Sequence, residues 1–216
     1  MSAPLFDWLV ADLPKGFAGA LLQRMPLLYA EAYESVMQDP RFDEPEARYL
    51  HGYVRRALVE KSLRDIGAAH QMKVEMRRAD GVGGPEHVML SVGRFCFTCC
   101  YIPALREFPQ ESRHREQYSL INEHAAQVQM FPVDSRPTEY DIYGIIFHRE
   151  AAGDKGKLGT LSVGIPNERC DGWLEEPIDL VDLADAQDRR QSAEDGVKSP
   201  EPKWKDQKKG KKEDEG

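Results

Sequence analysis

Asp141, His148 and Glu150 are the side chains best suited to chemistry in this sequence. Two carboxylates and an imidazole could hold a cation and bring water to a phosphate. Their spacing limits that reading. On a regular strand Asp141 and His148 face opposite sides, whereas Glu150 shares the side of His148. A metal-dependent nuclease needs carboxylates and a lysine converging on one face. Lys155 and Lys157 are near but fall in a loop, and no Glu-x-Lys pair lies on a strand. The plain alternative is a strand end reaching solvent.

Cys96-Phe97-Thr98-Cys99-Cys100 contains a C-x-x-C, and Cys170 is the fourth cysteine. Zinc sites use such pairs on a tight knuckle. Here the motif lies inside an apolar run, Phe95 to Ile102, whose alternate side chains point to opposite faces. Cys96 and Cys99 therefore point apart, and no second pair exists. Buried structural thiols are the favoured reading, and no metal or cofactor is expected.

The segment 113–129 has helical spacing and carries His114 and His124, roughly on one face with Gln117 and Ile121. A solvated helix face accounts for them. No H-E-x-x-H, Gly-x-Ser-x-Gly, Walker A or Gly-x-Gly-x-x-Gly pattern occurs. Gly81-Val82-Gly83-Gly84 joins two strands and leads to no helix that would hold phosphate. Arg55, Arg56 and Arg64 on a long helix, with Lys208 and Lys209 in a lysine-rich tail, could contact nucleic-acid phosphates.

The elements that position these groups follow from hydrophobic period. Residues 5–13 read as a short helix or arm. Leu21, Met25, Leu28, Ala32 and Val36 make a helical stripe, with Pro26 inside it or in its first turn. Asp43 precedes Glu44-Pro45-Glu46, an N-cap with an acidic first turn. The helix that follows, about 44–70, has Leu50, Tyr53, Val54, Ala57 and Leu58 on one expected buried face. Val59, Leu63 and Ile66 form a rotated second stripe. From residue 72 the period becomes two: strands near 72–78, 87–92, 95–102, 140–148 and 160–165, with the helix at 113–129 between the third and fourth. A short helix over 178–187 closes the series.

The fold expected is α+β: N-terminal helices, then a mainly antiparallel β-β-β-α-β-β sheet with helices on one face, then a disordered C-terminal tail. The division is 1–43 as an N-terminal helical segment, 44–186 as the core domain and 187–216 as the tail. That tail has eight acidic and nine basic residues and one large apolar group, Trp204, too little to offset the ordering entropy. Since the chain carries −8 overall, residues 1–186 carry −9. An acidic body repels nucleic-acid phosphates and suits a basic protein partner.

The start, Met1 to Asp7, lacks a basic leader region, and no apolar run approaches a membrane span. The cysteine pattern is no disulfide framework, so a cytoplasmic location with reduced thiols is expected. The order of elements over about 44–187 resembles the fold of type III secretion chaperones, acidic proteins that bind a partner chain. The resemblance implies a partner-binding role.

The leading expectation is a non-enzymatic protein-binding or regulatory module of chaperone, antitoxin or immunity type. Its partner is another, unidentified protein, with Tyr101, Tyr143 and Trp173 as candidate anchors. The alternatives are a metal-dependent enzyme on nucleic acid or nucleotides, using Asp141, His148 and Glu150, and a nucleic-acid-binding regulator. A homodimer through the sheet or the long helix is compatible with each.

Overall fold

Leu21, Met25, Leu28, Ala32 and Val36 all turn inward, none more than 4% exposed. They line α2 (Phe17–Met37), which follows α1 (Pro4–Asp12). Pro26 lies inside α2 on its exposed side, where water can take the carbonyl that the ring leaves unbonded. The computed structural model describes residues 4–78, 86–103, 106–123 and 142–196, with side chains to 192.

α3 (Glu44–Ala69) starts at the N-cap position Asp43, with Pro45 in its first turn. The Asp43 backbone is extended, but its carboxylate makes no capping hydrogen bond. The strands are β1 (Lys73–Arg78), β2 (Glu86–Val92), β3 (Phe95–Tyr101), β4 (Ile142–Ala151), β5 (Asp154–Gly164) and β6 (Ile178–Asp179). Two further helices are α4 (Arg113–Ser119), between β3 and β4, and α5 (Leu180–Gly196). The expected helix over 113–129 runs beyond residue 123, outside the described residues.

The fold is α+β, and the strands follow chain order, β1 to β6, in one sheet. The sheet is mixed rather than mainly antiparallel. β3 and β4 run parallel, with Phe95 opposite Ile142 and Tyr101 opposite His148; the other pairings are antiparallel. The reason is the connection. Hairpin-joined strands reverse direction, whereas the segment between β3 and β4 crosses over and returns to the starting end.

That crossover also changes the expected layering. α1, α2, α3 and α5 share one core with Val88, Leu90, Phe97, Ile146 and Val163 on one sheet face. The second face is covered too, by Tyr118 and Ile121 from α4 and the turn after it, against Met89, Cys96, Tyr143, Ile145 and Phe147. Asn122, fully buried, fixes this cover. Its amide donates to the carbonyls of Tyr143 and Pro166 at 2.9 and 2.7 Å and accepts from the Tyr143 N–H at 2.8 Å.

α5 continues to Gly196, past the expected tail boundary at 187. Gln187 is buried and donates to the Leu13 carbonyl at 2.9 Å. Residues 197–216 lie outside the described residues. Among the described residues no helix is long and apolar enough to cross a membrane.

Candidate functional site

β4 alternates regularly through the sheet. Ile142 and Ile146 face the helical layer, and Tyr143, Ile145 and Phe147 face the other side. His148 and Glu150 therefore point toward α2 and α3. Gly144, also on that side, is where the sheet meets a ring: a Cβ there would stand 2.8 Å from the Phe97 side chain.

His148 is 3% exposed. Its Nδ1 lies 2.5 Å from the Tyr29 hydroxyl of α2, and the two rings meet edge to face. Burial, and secondarily the Arg55 charge, push the His148 imidazole down to about 3. Burial pushes the Tyr29 phenol up, against the opposing pull of Arg55. Both groups are neutral at physiological pH, and the imidazole tautomer sets which of the two donates.

Glu150 sits where the β4–β5 register shifts, an irregularity that re-aims a strand side chain. Its carboxylate accepts from Arg55 at 3.1 Å. The Arg55 guanidinium also lies 3.9 Å from the centre of the Tyr101 ring and 5.2 Å from that of Tyr29. Such stacking is strong because the site is desolvated. One turn earlier on α3, His51 is buried edge to face against Tyr33. Burial and Arg55 lower its basicity, and Glu150 opposes them. Among the described residues no hydrogen-bond partner meets its Nε2.

This cluster unites residues that the sequence suggested for three different purposes. His148 and Glu150 were candidates for catalysis, Arg55 for phosphate contact, and Tyr101 for partner binding. Together they form one lock between helices and sheet, buried at His148 and Arg55 and half-buried at Glu150 and Tyr101. Arg55 is spent on Glu150 and two aromatic rings, so it offers no charge to a phosphate. Asp141, Lys208 and Lys209 lie outside the described residues. Arg56 is exposed and turns to the Glu86 carbonyl and to Glu60; exposed Arg64 lies beside Asp65.

The remaining anchors are structural in this conformation. Tyr143 is fully buried, with its hydroxyl 2.5 Å from that of Thr98, so it presents no surface to a partner. Trp173 stacks on Phe147, meets Phe108 at a tilt and donates to the Glu107 carbonyl. It fills the space that a side chain at Gly164 would need, where a Cβ would lie 2.4 Å from the indole.

The cysteines behave as their alternation implies. Cys96 packs with the second-face cluster and Cys99 with the first. Burial pushes the Cys96 and Cys100 thiols up to about 12. Among the described residues no three histidine, cysteine or acidic side chains gather as metal ligands. His114 stacks on His87 at 4.2 Å, accepts or donates at Ser112, and is held near neutrality by burial. A groove of about 730 Å³ opens beside α4, lined by Arg106, Glu107, Phe108, Glu111, Arg169 and Asp171. Cys170 also borders it, whereas His148, Glu150, Tyr101, Tyr143 and Trp173 do not.

The surface feature that the sequence reading missed is on the outside of α3. Tyr49 and Tyr53 are 67% and 58% exposed. Their ring centres are 5.0 Å apart and their hydroxyls 3.2 Å apart. Tyr53 was expected on the buried face with Leu50, Val54, Ala57 and Leu58. The buried face is instead Ala47, His51, Arg55, Val59, Ser62, Leu63 and Gly67. A charged residue at a buried position is stabilised when a partner satisfies it, and Glu150 does this for Arg55.

No family model, curated protein or solved structure matches this chain, so the likeness in element order to type III secretion chaperones stands on that order alone.

Proposed function

We propose that this protein is a non-enzymatic binding module that holds another protein, in the manner of a chaperone, antitoxin or immunity partner. The outer face of α3 is its contact surface. The observation that carries this reading is the exposed Tyr49–Tyr53 pair. Tyrosine supplies large contact area at low conformational cost and is enriched among the residues that dominate interface energies. Here the pair is set on a rigid helix whose opposite side is fastened by Arg55 to Glu150. Gly52, next to Tyr53 in sequence, adds no side chain to this part of the helix, and a Cβ there would stand in open space.

The metal-dependent enzyme reading has less support. A general base must come within hydrogen-bond reach of its substrate, whereas His148 is 3% exposed and its Nδ1 is taken by Tyr29. The nucleic-acid reading loses Arg55 to the same lock.

The test is co-purification from the native host with the wild-type chain and with Tyr49→Ser/Tyr53→Ser. A stoichiometric protein partner retained by the first and lost by the second supports the proposal. Identical recoveries from both chains, or recovery of nucleic acid in place of protein, overturn it.

A further inference from the structure

Exposed aromatic faces attract cations, and the sequence leading into Tyr49 and Tyr53 is acidic. From Glu31 to Tyr53, the stretch that ends α2 and begins α3, six carboxylates stand against two arginines. Both arginines are already engaged, Arg41 with Asp39 and Arg48 with Glu44. Glu34, Asp43 and Glu46 remain exposed. Glu46 stands one turn before Tyr49 on the same stripe of α3. At the far end Arg56 is turned to Glu60 and the Glu86 carbonyl.

Resting on the protein-binding reading above, we infer that the Tyr49–Tyr53 face docks a basic segment of the partner, taking its arginine or lysine side chains over the rings and beside Glu46. The chain uses the same pairing internally, where Arg55 lies 3.9 Å from the centre of the Tyr101 ring. The overall charge of −8 adds long-range attraction for such a partner.

The experiment titrates the full-length, isotopically labelled protein with two synthetic peptides, one arginine-rich and one with aspartate in place of each arginine. Spectra are recorded at low and at high ionic strength. Tyr49→Leu/Tyr53→Leu keeps apolar bulk but removes the ring faces, and Glu46→Gln removes the nearest charge. Both changes are at exposed positions and leave the fold intact, which circular dichroism checks.

Saturable shifts confined to α3 and the end of α2 are expected with the arginine peptide alone. Affinity should fall about tenfold in the leucine variant, fall less in Glu46→Gln, and fall with salt. Equal binding of the aspartate peptide, or unchanged binding by the leucine variant, overturns the inference. If the arginine peptide fails while the co-purified partner still requires Tyr49 and Tyr53, the basic-segment inference is wrong and the protein-binding reading stands. If both fail, both fall.

Discussion

The Tyr29 hydroxyl on α2 and Nδ1 of His148 on β4, 119 positions apart in sequence, share a 2.5 Å hydrogen bond. Both side chains are buried, so loss of the hydroxyl leaves Nδ1 without a partner and out of reach of water. Tyr29→Phe should destabilise the fold by about 1–3 kcal/mol. Urea unfolding measures this. The double change Tyr29→Phe/His148→Leu should cost less than the two single changes added together. Strict additivity would mean that the bond contributes nothing.

The Arg55–Glu150 pair is more demanding, because the arginine is 6% exposed and its removal strands a carboxylate. Arg55→Met should cost roughly 2–4 kcal/mol, toward the lower end because Glu150 keeps a fifth of its side chain in water. Arg55→Met/Glu150→Leu should recover part of that loss in thermal denaturation. A double variant less stable than Arg55→Met alone would contradict the pairing.

Acid should unfold this protein through its histidines. The folded-state values of His148 and His114 lie at about 3, and that of His51 is also lowered. In the unfolded chain an imidazole titrates near 6.5, so between these values the unfolded state binds more protons. Stability is complete above about pH 6.5 and falls as pH drops toward 3, by up to about 1.4 kcal/mol per pH unit for each such histidine. Urea midpoints measured from pH 7 to 4 should show the slope, and His148→Phe should remove about one proton from it. An unchanged slope in that variant would place the proton uptake elsewhere.

The thiols should be inert in the folded protein. Burial raises Cys96 and Cys100 to about 12 and also raises Cys99 and Cys170, and the thiolate is the reactive form. At neutral pH Ellman's reagent should release colour at the rate of unfolding, then titrate all four cysteines at once in denaturant. Rapid labelling of one thiol in the native state would contradict this.

Much of the fold was legible because local pattern and tertiary need agree in most elements. Leu21 to Val36 repeat at helical spacing and pack against the sheet. Cys96 and Cys99 alternate in β3 and reach opposite cores. The parallel β3–β4 pair was not legible, since alternation along a strand carries no information about the direction of its neighbour. The candidate site was legible only in fragments. His148, Glu150, Arg55 and Tyr101 were each noticed, but for unrelated reasons. Tyr29 and His51 have no spacing within α2 and α3 that sets them apart.

The sequence by itself determined most element types, though not that β5 begins at Asp154 and so carries Lys155 and Lys157, nor the short β6; it also determined the α2 stripe, the acidity of the residues before the tail and the isolation of the cysteines. These depend on composition and on spacing within one element. The tertiary structure alone decided which side of α3 faces inward. That helix has apolar and polar residues on both sides, so its own period leaves the choice open. Glu150, 95 positions away from Arg55, makes an arginine admissible inside and so turns Tyr49 and Tyr53 outward.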